Sequence, residues 1–319
     1  MKILYLISKY YHDCKMDMGR ITHGRALAKR EDVEFEFWGT GWPGYNDTAM
    51  LGDNLKATGR EPDVLICYKP QDHTGVPECG VPAVLPFNDC YDEKTCDDLR
   101  GCMPRLVILH HENDFNRPWW RIVPRARFVH VPHCAERSIF CPIERGPRPV
   151  DVLVTGAHHP TSYPLRERFF HCVTSGRFAD AGVAAQVRQF PGHRCPSAAE
   201  TESQFRAYAA HLQRAKIVLV DSSRWHYALA KYVEAMAAGC LVIGDLPDDR
   251  RFCDSLGRYV VDIGHDADEL HIVATVKQWL AKPDALRDTA LAGQQAVLDG
   301  FTADHYAASL VEQIRMLRQ

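Results

Sequence analysis

The chain has no strong net charge and no long apolar run, and both absences limit its function. Its 319 residues include 38 basic and 41 acidic side chains, a formal net charge of −3. Proteins that bind nucleic acid or anionic lipid through surface charge are normally basic, so we expect no nucleic-acid partner. No apolar stretch approaches the ~20 residues that cross a bilayer. The opening Met1–Leu6 is too short for the apolar part of a signal peptide. A cytoplasmic protein without an integral membrane segment is therefore expected.

Two common metal and cofactor motifs are missing as well. The chain has 12 cysteines but no CxxC pair, and its nearest set, Cys90, Cys96 and Cys102, repeats at intervals of six. Because structural zinc ligands normally sit closer together, we expect reduced thiols, with a zinc site as the minor alternative. Gly19 and Arg20 stand without the GxGxxG spacing of a dinucleotide fold, which disfavours a nicotinamide cofactor. No cofactor and no metal are therefore expected.

What the sequence does contain is a repeated order of apolar strand, polar loop and amphipathic helix. A loop is expected through Asp17, followed by a helix over residues 19–30. Strands that alternate with helices pair in parallel, so two doubly wound α/β sheets are predicted. The other predicted elements are strands 3–7, 33–37, 63–67, 82–85, 106–109, 128–131, 150–154, 184–190, 216–220 and 240–243, and helices 163–175, 200–214 and 228–238.

One stretch interrupts this order. Residues 141–149 hold three prolines and one glycine, which neither a helix nor a strand accommodates. We therefore expect a linker here, between an N-terminal domain of residues 1–142 and a C-terminal domain of residues 150–300.

The most informative segment runs from Lys216 to Asp245 and has the order strand, polar loop, helix, strand. In a parallel sheet the loop after a strand lies at the edge where ligands bind, and a helix that begins there offers N–H groups to a diphosphate. Lys231 and Glu234 are three residues apart and share one face of the helix. A carboxylate on that face can accept two hydrogen bonds from a ribose diol. The segment therefore predicts a nucleotide site.

This segment resembles the C-terminal domain of the group 1 glycosyltransferases, which are retaining enzymes of the GT-B type. Residues 231–243, KYVEAMAAGCLVI, carry the likeness, and residues 128–142, FVHVPHCAERSIFCP, are similar to the family's crossing between its domains. Residues 151–156, DVLVTG, followed by Tyr163 to Arg166, look like the CgeB-like branch of the family. The resemblance implies two Rossmann-like domains that face a cleft, with a helix over residues 301–319 that crosses back to the N-terminal domain.

The family likeness also implies an activity. It points to transfer of a sugar from a nucleotide diphosphate sugar, a substrate rather than a cofactor, to a hydroxyl group of a glycan, protein or small-molecule acceptor. The C-terminal domain would hold the donor and the N-terminal domain the acceptor. Retention of the anomeric configuration is part of the same implication. Independence of metal is expected because a helix dipole and basic side chains can neutralise the diphosphate.

The family pattern assigns roles to residues of both domains. Glu234 inherits the contact with the donor ribose. His226 stands where family members often carry a second glutamate near the donor sugar, and Ala157 stands where they carry an arginine. The catalytic candidates are His111, with His110 as its alternative, and His226. The donor-binding candidates are Glu234, Lys231, Arg166, Gly156, Tyr227, Ala228, Ser222, Gly19 and Arg20.

Plainer interpretations stay open for several of these residues. Lys231 could be a solvated charge or a local partner of Glu234, Arg166 a helix-surface arginine, and His226 a satisfied loop residue. Asn88-Asp89 and Trp119-Trp120 could contact an acceptor or serve turns and packing.

Other functions also stay open. The two departures from the family pattern favour, as the alternative, a catalytically degenerate nucleotide-sugar-binding protein that acts as a partner or regulator. A nucleotide-sugar epimerase on the same fold is the third interpretation.

Overall fold

The computed structural model describes residues 1–14, 18–87, 95–142, 146–190, 192 and 197–317. Nothing is described of the side chains of Met18, Thr95, Trp119 and Trp120. The predicted acceptor contact of Asn88-Asp89 therefore lies outside the described residues, and that of Trp119-Trp120 depends on side chains that are not described.

The chain forms two compact units. Unit 1 consists of Met1–Pro132, Arg194–Thr201 and Ala303–Gln319, and unit 2 consists of His133–His193 and Glu202–Thr302. The division at Pro132 comes ahead of the predicted domain end at residue 142. Residues just after it already bond within unit 2, where the Gln213 amide donates to the carbonyls of Ile139 at 3.2 Å and Phe140 at 3.0 Å.

Unit 1 is built on a parallel sheet. Its strands are β1 (Lys2–Leu6), β2 (Glu34–Trp38), β3 (Val64–Cys67), β4 (Ala83–Phe87), β5 (Leu106–Leu109) and β6 (Arg127–His130). They lie in the order β2-β1-β3-β4-β5-β6, and the register places Ile3 between Phe35 and Val64. The helices up to the division are α1 (Lys9–Cys14), α2 (Met18–Ala28), α3 (Leu51–Ala57) and α4 (Thr95–Cys102).

Unit 2 has a second parallel sheet. Its strands are β7 (Val150–Gly156), β8 (Ala185–Gln189), β9 (Ala215–Val220), β10 (Leu241–Gly244) and β11 (Val260–Asp262), in the order β11-β10-β9-β7-β8. Its helices are α5 (Arg137–Phe140), α6 (Pro164–Thr174), α7 (Arg177–Asp180), α8 (Ala198–Gln213), α9 (Ala230–Ala237), α10 (Arg250–Ser255), α11 (Glu269–Leu280) and α12 (Pro283–Gly300). The first residues of α8 belong to unit 1, as does the last helix, α13 (Ala303–Arg315).

Apolar strands form the core of each unit. Leu241, Val242 and Ile243 of β10 are 0% exposed, as expected for a strand covered on both faces. Phe169 and Cys172 of α6 pack into the same cluster of unit 2. Within the described residues, no helix combines the length and the apolarity that a membrane crossing requires.

The predicted α/β class is confirmed, and most predicted strands lie within two residues of the observed ones. The loop expected through Asp17 is wrong in part, because Lys9–Cys14 forms α1. There an ion pair of 2.8 Å joins Lys9 and Asp13, one helical turn apart. The helix expected from Ala228 begins only at Ala230.

Candidate functional site

A glycine and three polar residues lie at or just after the ends of four neighbouring strands of unit 2. Gly156 ends β7, Asp221 follows β9, Asp245 follows β10, and His265 comes shortly after β11. Because these strands are parallel neighbours, their carboxyl ends meet at one edge of the sheet, the edge where ligands bind in folds of this kind. This edge is the candidate site of unit 2.

Arg166, on α6, is buried at this edge, with 3% of its surface exposed. Its Nε donates to Asp221 Oδ1 at 2.8 Å, and its Nη1 donates to the carbonyl of Ala157 at 3.3 Å. The guanidinium also lies 3.8 Å from the ring centre of Tyr163. Burial raises the pKa of Asp221, although Arg166 opposes that rise. A surface arginine, the plainer interpretation, does not fit these contacts.

Lys231, on α9, points to the same place as Arg166. A Cβ atom added to Gly156 would lie 2.8 Å from both Arg166 Nη1 and Lys231 Cε, so both side chains close over this glycine. Burial and then the charge of Arg166 lower the pKa of Lys231, while Glu234 opposes the fall. Asp221 pairs with Arg166, and among the described residues no carboxylate forms an ion pair with Lys231. Two cations therefore meet over Gly156, and of the two only Arg166 has an ion-pair partner among the described residues.

Glu234 lies on the face of α9 that also carries Lys231. Tyr208 of α8 donates from its hydroxyl group to Glu234 Oε2 at 2.9 Å. The Lys231 ammonium lies 5.7 Å from the centre of the Tyr208 ring, and the Arg188 guanidinium lies 5.3 Å from it. Burial raises the pKa of Glu234. The carboxylate is held by one oxygen, which leaves Oε1 to accept from a ligand.

Asp245 organises the loop between β9 and α9. It is 1% exposed, and it accepts from Ser222 N–H at 2.8 Å, from Ser222 Oγ at 2.6 Å and from Tyr232 Oη at 3.1 Å. The His265 ring nitrogen Nδ1 also contacts Asp245 Oδ2. Ser222, a predicted donor contact, thus uses its side chain within the protein.

His226 contacts this group from the same loop. Its Nδ1 lies 3.2 Å from Nδ1 of His265. Its backbone is left-handed, with φ of 55°, a conformation uncommon outside glycine. Tyr227 and Ala228, the next predicted donor contacts, are 2% and 5% exposed. Because both side chains are buried, we expect any contact they make with a donor to go through the backbone just before α9.

The predicted site residues of unit 1 lie elsewhere in the chain. Gly19 and Arg20 are in the first turn of α2, and the Arg20 guanidinium lies 3.8 Å from the Tyr68 ring centre. His111 follows β5 and is 1% exposed. Its neighbour His110 is also buried, and its Nδ1 lies 2.9 Å from the carbonyl oxygen of Val131.

The structure brings together Gly156, Arg166, Lys231 and Glu234, all named from the sequence. It adds four residues that the sequence pattern missed, and these are Asp221, Asp245, Tyr208 and His265. The two aspartates come within two residues of predicted strand ends, so the rule that ligand-binding residues follow parallel strands would have found them. Tyr208 and His265 carry no such signal.

Comparison with known proteins supports the same architecture. Residues 166–312 match the model of a family described as glycosyl transferase-like. The whole chain superposes on sucrose-phosphate synthase from Thermosynechococcus elongatus with a TM-score of 0.61 at 12% identity, over 99% of each chain. The Anabaena protein HepE in complex with UDP gives a TM-score of 0.62 at 11% identity, over 99% of this chain and 100% of that one.

The same architecture also occurs with another described activity. A Listeria monocytogenes protein, provisionally described as a UDP-N-acetylglucosamine 2-epimerase, gives a TM-score of 0.56 at 9% identity, over 98% of this chain and 95% of that one. A search of curated proteins gives no match. None of these comparisons singles out the CgeB-like branch, which stays a prediction. The predicted GT-B fold is confirmed: the chain has the two-sheet α/β architecture of glycosyltransferases of known structure.

Proposed function

We propose that this protein is a glycosyltransferase that moves a sugar from a nucleotide diphosphate sugar to a hydroxyl group of an acceptor. The observation that carries the proposal is the pair of cations, Arg166 and Lys231, that close over Gly156 at the carboxyl edge of the unit 2 sheet. A diphosphate placed there would give Lys231 an ion-pair partner and would raise its lowered pKa toward the ordinary value. The match of residues 166–312 to a glycosyl transferase-like family supports the same interpretation.

Glu234 fits the nucleoside end of such a donor. Tyr208 fixes one carboxylate oxygen, and the other can accept from a ribose hydroxyl. Because the carboxylate is held before the ligand arrives, little side-chain entropy is lost on binding. We assign Glu234 to the ribose and the Arg166–Lys231 pair to the diphosphate.

The chemistry requires stabilisation of a leaving group. The bond from the anomeric carbon to the diphosphate oxygen breaks, and its electron pair stays on the nucleoside diphosphate. The acceptor oxygen bonds to the anomeric carbon, and its proton passes to the departing diphosphate oxygen. Fixed cations near the departing oxygen lower the barrier without reorganising during the reaction. This arrangement needs no metal at the diphosphate, and we propose a metal-independent transfer with retention.

Two histidines complete the proposed machinery. His226 would donate to or accept from a hydroxyl group of the donor sugar, and its strained backbone is typical of residues in functional loops. His111 is proposed as the histidine of unit 1 that serves the reacting sugar. The acceptor is assigned to unit 1, and Gly19 and Arg20 stay proposed donor contacts.

A thermal-shift screen with UDP-, GDP-, ADP-, CMP- and dTDP-sugars, with and without Mg²⁺, tests donor binding. A donor at about 100 times its Kd should add about 2.7 kcal/mol of stability. Lys231→Met should weaken binding by about 10–100-fold, because a hydrogen bond to a charged group contributes about 1.5–3 kcal/mol. Lys277→Met, at an exposed position on α11, is the matched control. The absence of a shift with every donor would refute the proposal.

Product analysis then separates transfer from the alternatives. Transfer releases nucleoside diphosphate together with a glycosylated acceptor, which mass spectrometry detects. An epimerised sugar without a glycosylated acceptor would indicate an epimerase. Donor binding without any product would indicate a degenerate binding protein.

A further inference from the structure

Three loops of unit 2 bring two imidazoles and one carboxylate together. His226 lies between β9 and α9, Asp245 directly follows β10, and His265 follows β11. One ligand atom from each residue lies within 4.8 Å of the other two. Consecutive members of the cluster are 19 and 20 positions apart in the chain, so no short spacing motif predicts it from the sequence.

The carboxylate of this cluster lacks a permanent cation. Asp245 is 1% exposed, and among the described residues no lysine or arginine forms an ion pair with it. The nearby Asp221 is also buried, but Arg166 pairs with it. A buried carboxylate normally has a cationic partner or binds a metal ion. Among the described residues, the groups that can bring a positive charge to this carboxylate lie on the histidine side of the cluster, where His265 contacts Asp245.

The two imidazoles face each other in an arrangement that hydrogen bonds satisfy poorly. Nδ1 of His226 and Nδ1 of His265 are 3.2 Å apart, and the same nitrogen of His265 also contacts Asp245 Oδ2. A single N–H on His265 would have to serve both neighbours, and a second N–H on His226 would point at the first. One cation between the three atoms accepts a lone pair from each of them.

The protein holds these ligands in place through contacts of its own. Asp245 is fixed by the N–H and hydroxyl groups of Ser222 and by Tyr232. The left-handed backbone of His226 is held by a hydrogen bond of 2.9 Å from Asp248 N–H to its carbonyl oxygen. Partners of this kind orient the ligands of metal sites.

We propose that His226, Asp245 and His265 bind one divalent first-row transition ion of the Zn²⁺ class. Imidazole nitrogens combined with one carboxylate suit such an ion, whereas Ca²⁺ and Mg²⁺ prefer oxygen ligands. Three protein ligands leave a fourth position for solvent, and the His265 side chain is 39% exposed, so an ion can reach the cluster. Because His226 binds through Nδ1, its Nε2 stays available for another partner.

The bound ion would tie together the three loops at the carboxyl ends of β9, β10 and β11. It is separate from the Arg166–Lys231 pair to which the diphosphate is assigned, and it shares only His226 with the proposed contacts to the donor sugar. The test below uses the metal alone, and its outcome is therefore independent of whether the chain proves to be a transferase.

Co²⁺ titration of the chelator-treated protein, followed by visible absorption and calorimetry, tests the site. We expect one ion per chain and the d–d bands of cobalt with nitrogen and oxygen ligands at low coordination number. His265→Ala should weaken Co²⁺ binding by more than the roughly 10–100-fold that loss of an outer partner costs. His226→Asn should do the same, and asparagine tolerates the left-handed backbone. His271→Ala, at an exposed position on α11, should leave the affinity unchanged.

Three results would overturn the proposal. They are an affinity for Co²⁺ that neither His265→Ala nor His226→Asn changes, a spectrum of thiolate-to-cobalt charge transfer, which would place the ion on cysteine, and the spectrum of the hydrated ion alone. Circular dichroism of each variant confirms that lost binding does not reflect lost folding.

Discussion

At the scale of single residues, Gly156 decides whether the candidate site can exist. It combines a φ of 120°, a conformation that other residues rarely adopt, with two cationic side chains packed where a Cβ would be. The glycine therefore lets Arg166 and Lys231 approach the backbone at the end of β7. Arg166 reaches this place from α6, and its Nη1 donates to the carbonyl of the next residue, Ala157, at 3.3 Å.

Gly156→Ala should destabilise the protein by about 1–3 kcal/mol through backbone strain and should also displace Arg166 and Lys231, which removes the donor-induced thermal shift. Gly182→Ala is the control, because Gly182 has a φ of 73° and no atom within 4 Å of an added Cβ. The control should lose stability and keep donor binding. Wild-type donor affinity in Gly156→Ala would contradict the assignment of the site.

At the scale of elements, α9 carries Lys231 and Glu234, and its carboxyl end is held from two distant parts of unit 2. Gln294 of α12 donates to the carbonyl of Ala237 at 2.7 Å, and Arg148 donates to the carbonyl of Ala238 at 2.6 Å. Gly239 then turns the chain with a φ of 74° and donates to the carbonyl of Met236 at 2.8 Å. A glycine in this left-handed conformation is a common end of an α-helix.

Gln294→Ala should lower the free energy of unfolding by about 1–3 kcal/mol, because the Ala237 carbonyl becomes a buried acceptor without its donor. Urea denaturation and hydrogen exchange of the α9 amides measure the effect. Gln295→Ala, at the exposed neighbouring position, should change the stability by less than about 0.5 kcal/mol. Equal stability of both variants would show that α9 does not depend on this contact.

At the scale of the whole molecule, unit 1 contains buried histidines that make the folded state less stable at acidic pH. Burial lowers the pKa of His73 to about 4, and burial, followed by the charges of His110 and Arg20, lowers the pKa of His23 well below its usual 6.5. Both are neutral in the folded unit. The unfolded chain binds their protons more readily, so stability falls as the pH drops below about 6.5.

For His73 this loss should amount to about 1.4 kcal/mol per pH unit between pH 6.5 and about 4. Urea denaturation of wild type and His73→Gln at several pH values measures it. Between pH 6.5 and about 4, the slope of the free energy of unfolding against pH should be smaller in the variant by about 1.4 kcal/mol per pH unit, which corresponds to one proton. Above pH 7.5 the two curves should run parallel. A constant difference in stability there would be a packing effect of the substitution, and a difference in slope there would contradict the assignment to His73.

Much of the fold follows from local sequence. The apolar segments and the helices between them predict the parallel sheets, because strands buried on both faces are apolar throughout. The start of α9 is not predictable in this way. Ala228 has good helix propensity, but the left-handed turn at His226 and the loop held by Asp245 delay the helix to Ala230.

The sequence alone determined the α/β architecture and the pair Lys231 and Glu234, because both depend on spacing within one helix or one strand. Only the tertiary structure decided which other side chains meet them. Arg166, Tyr208, Asp221, Asp245 and His265 come from separate elements, and the register of the sheet and the packing of α6 and α8 bring them to one edge. Contacts between residues far apart in the chain depend on that packing, which no local pattern encodes.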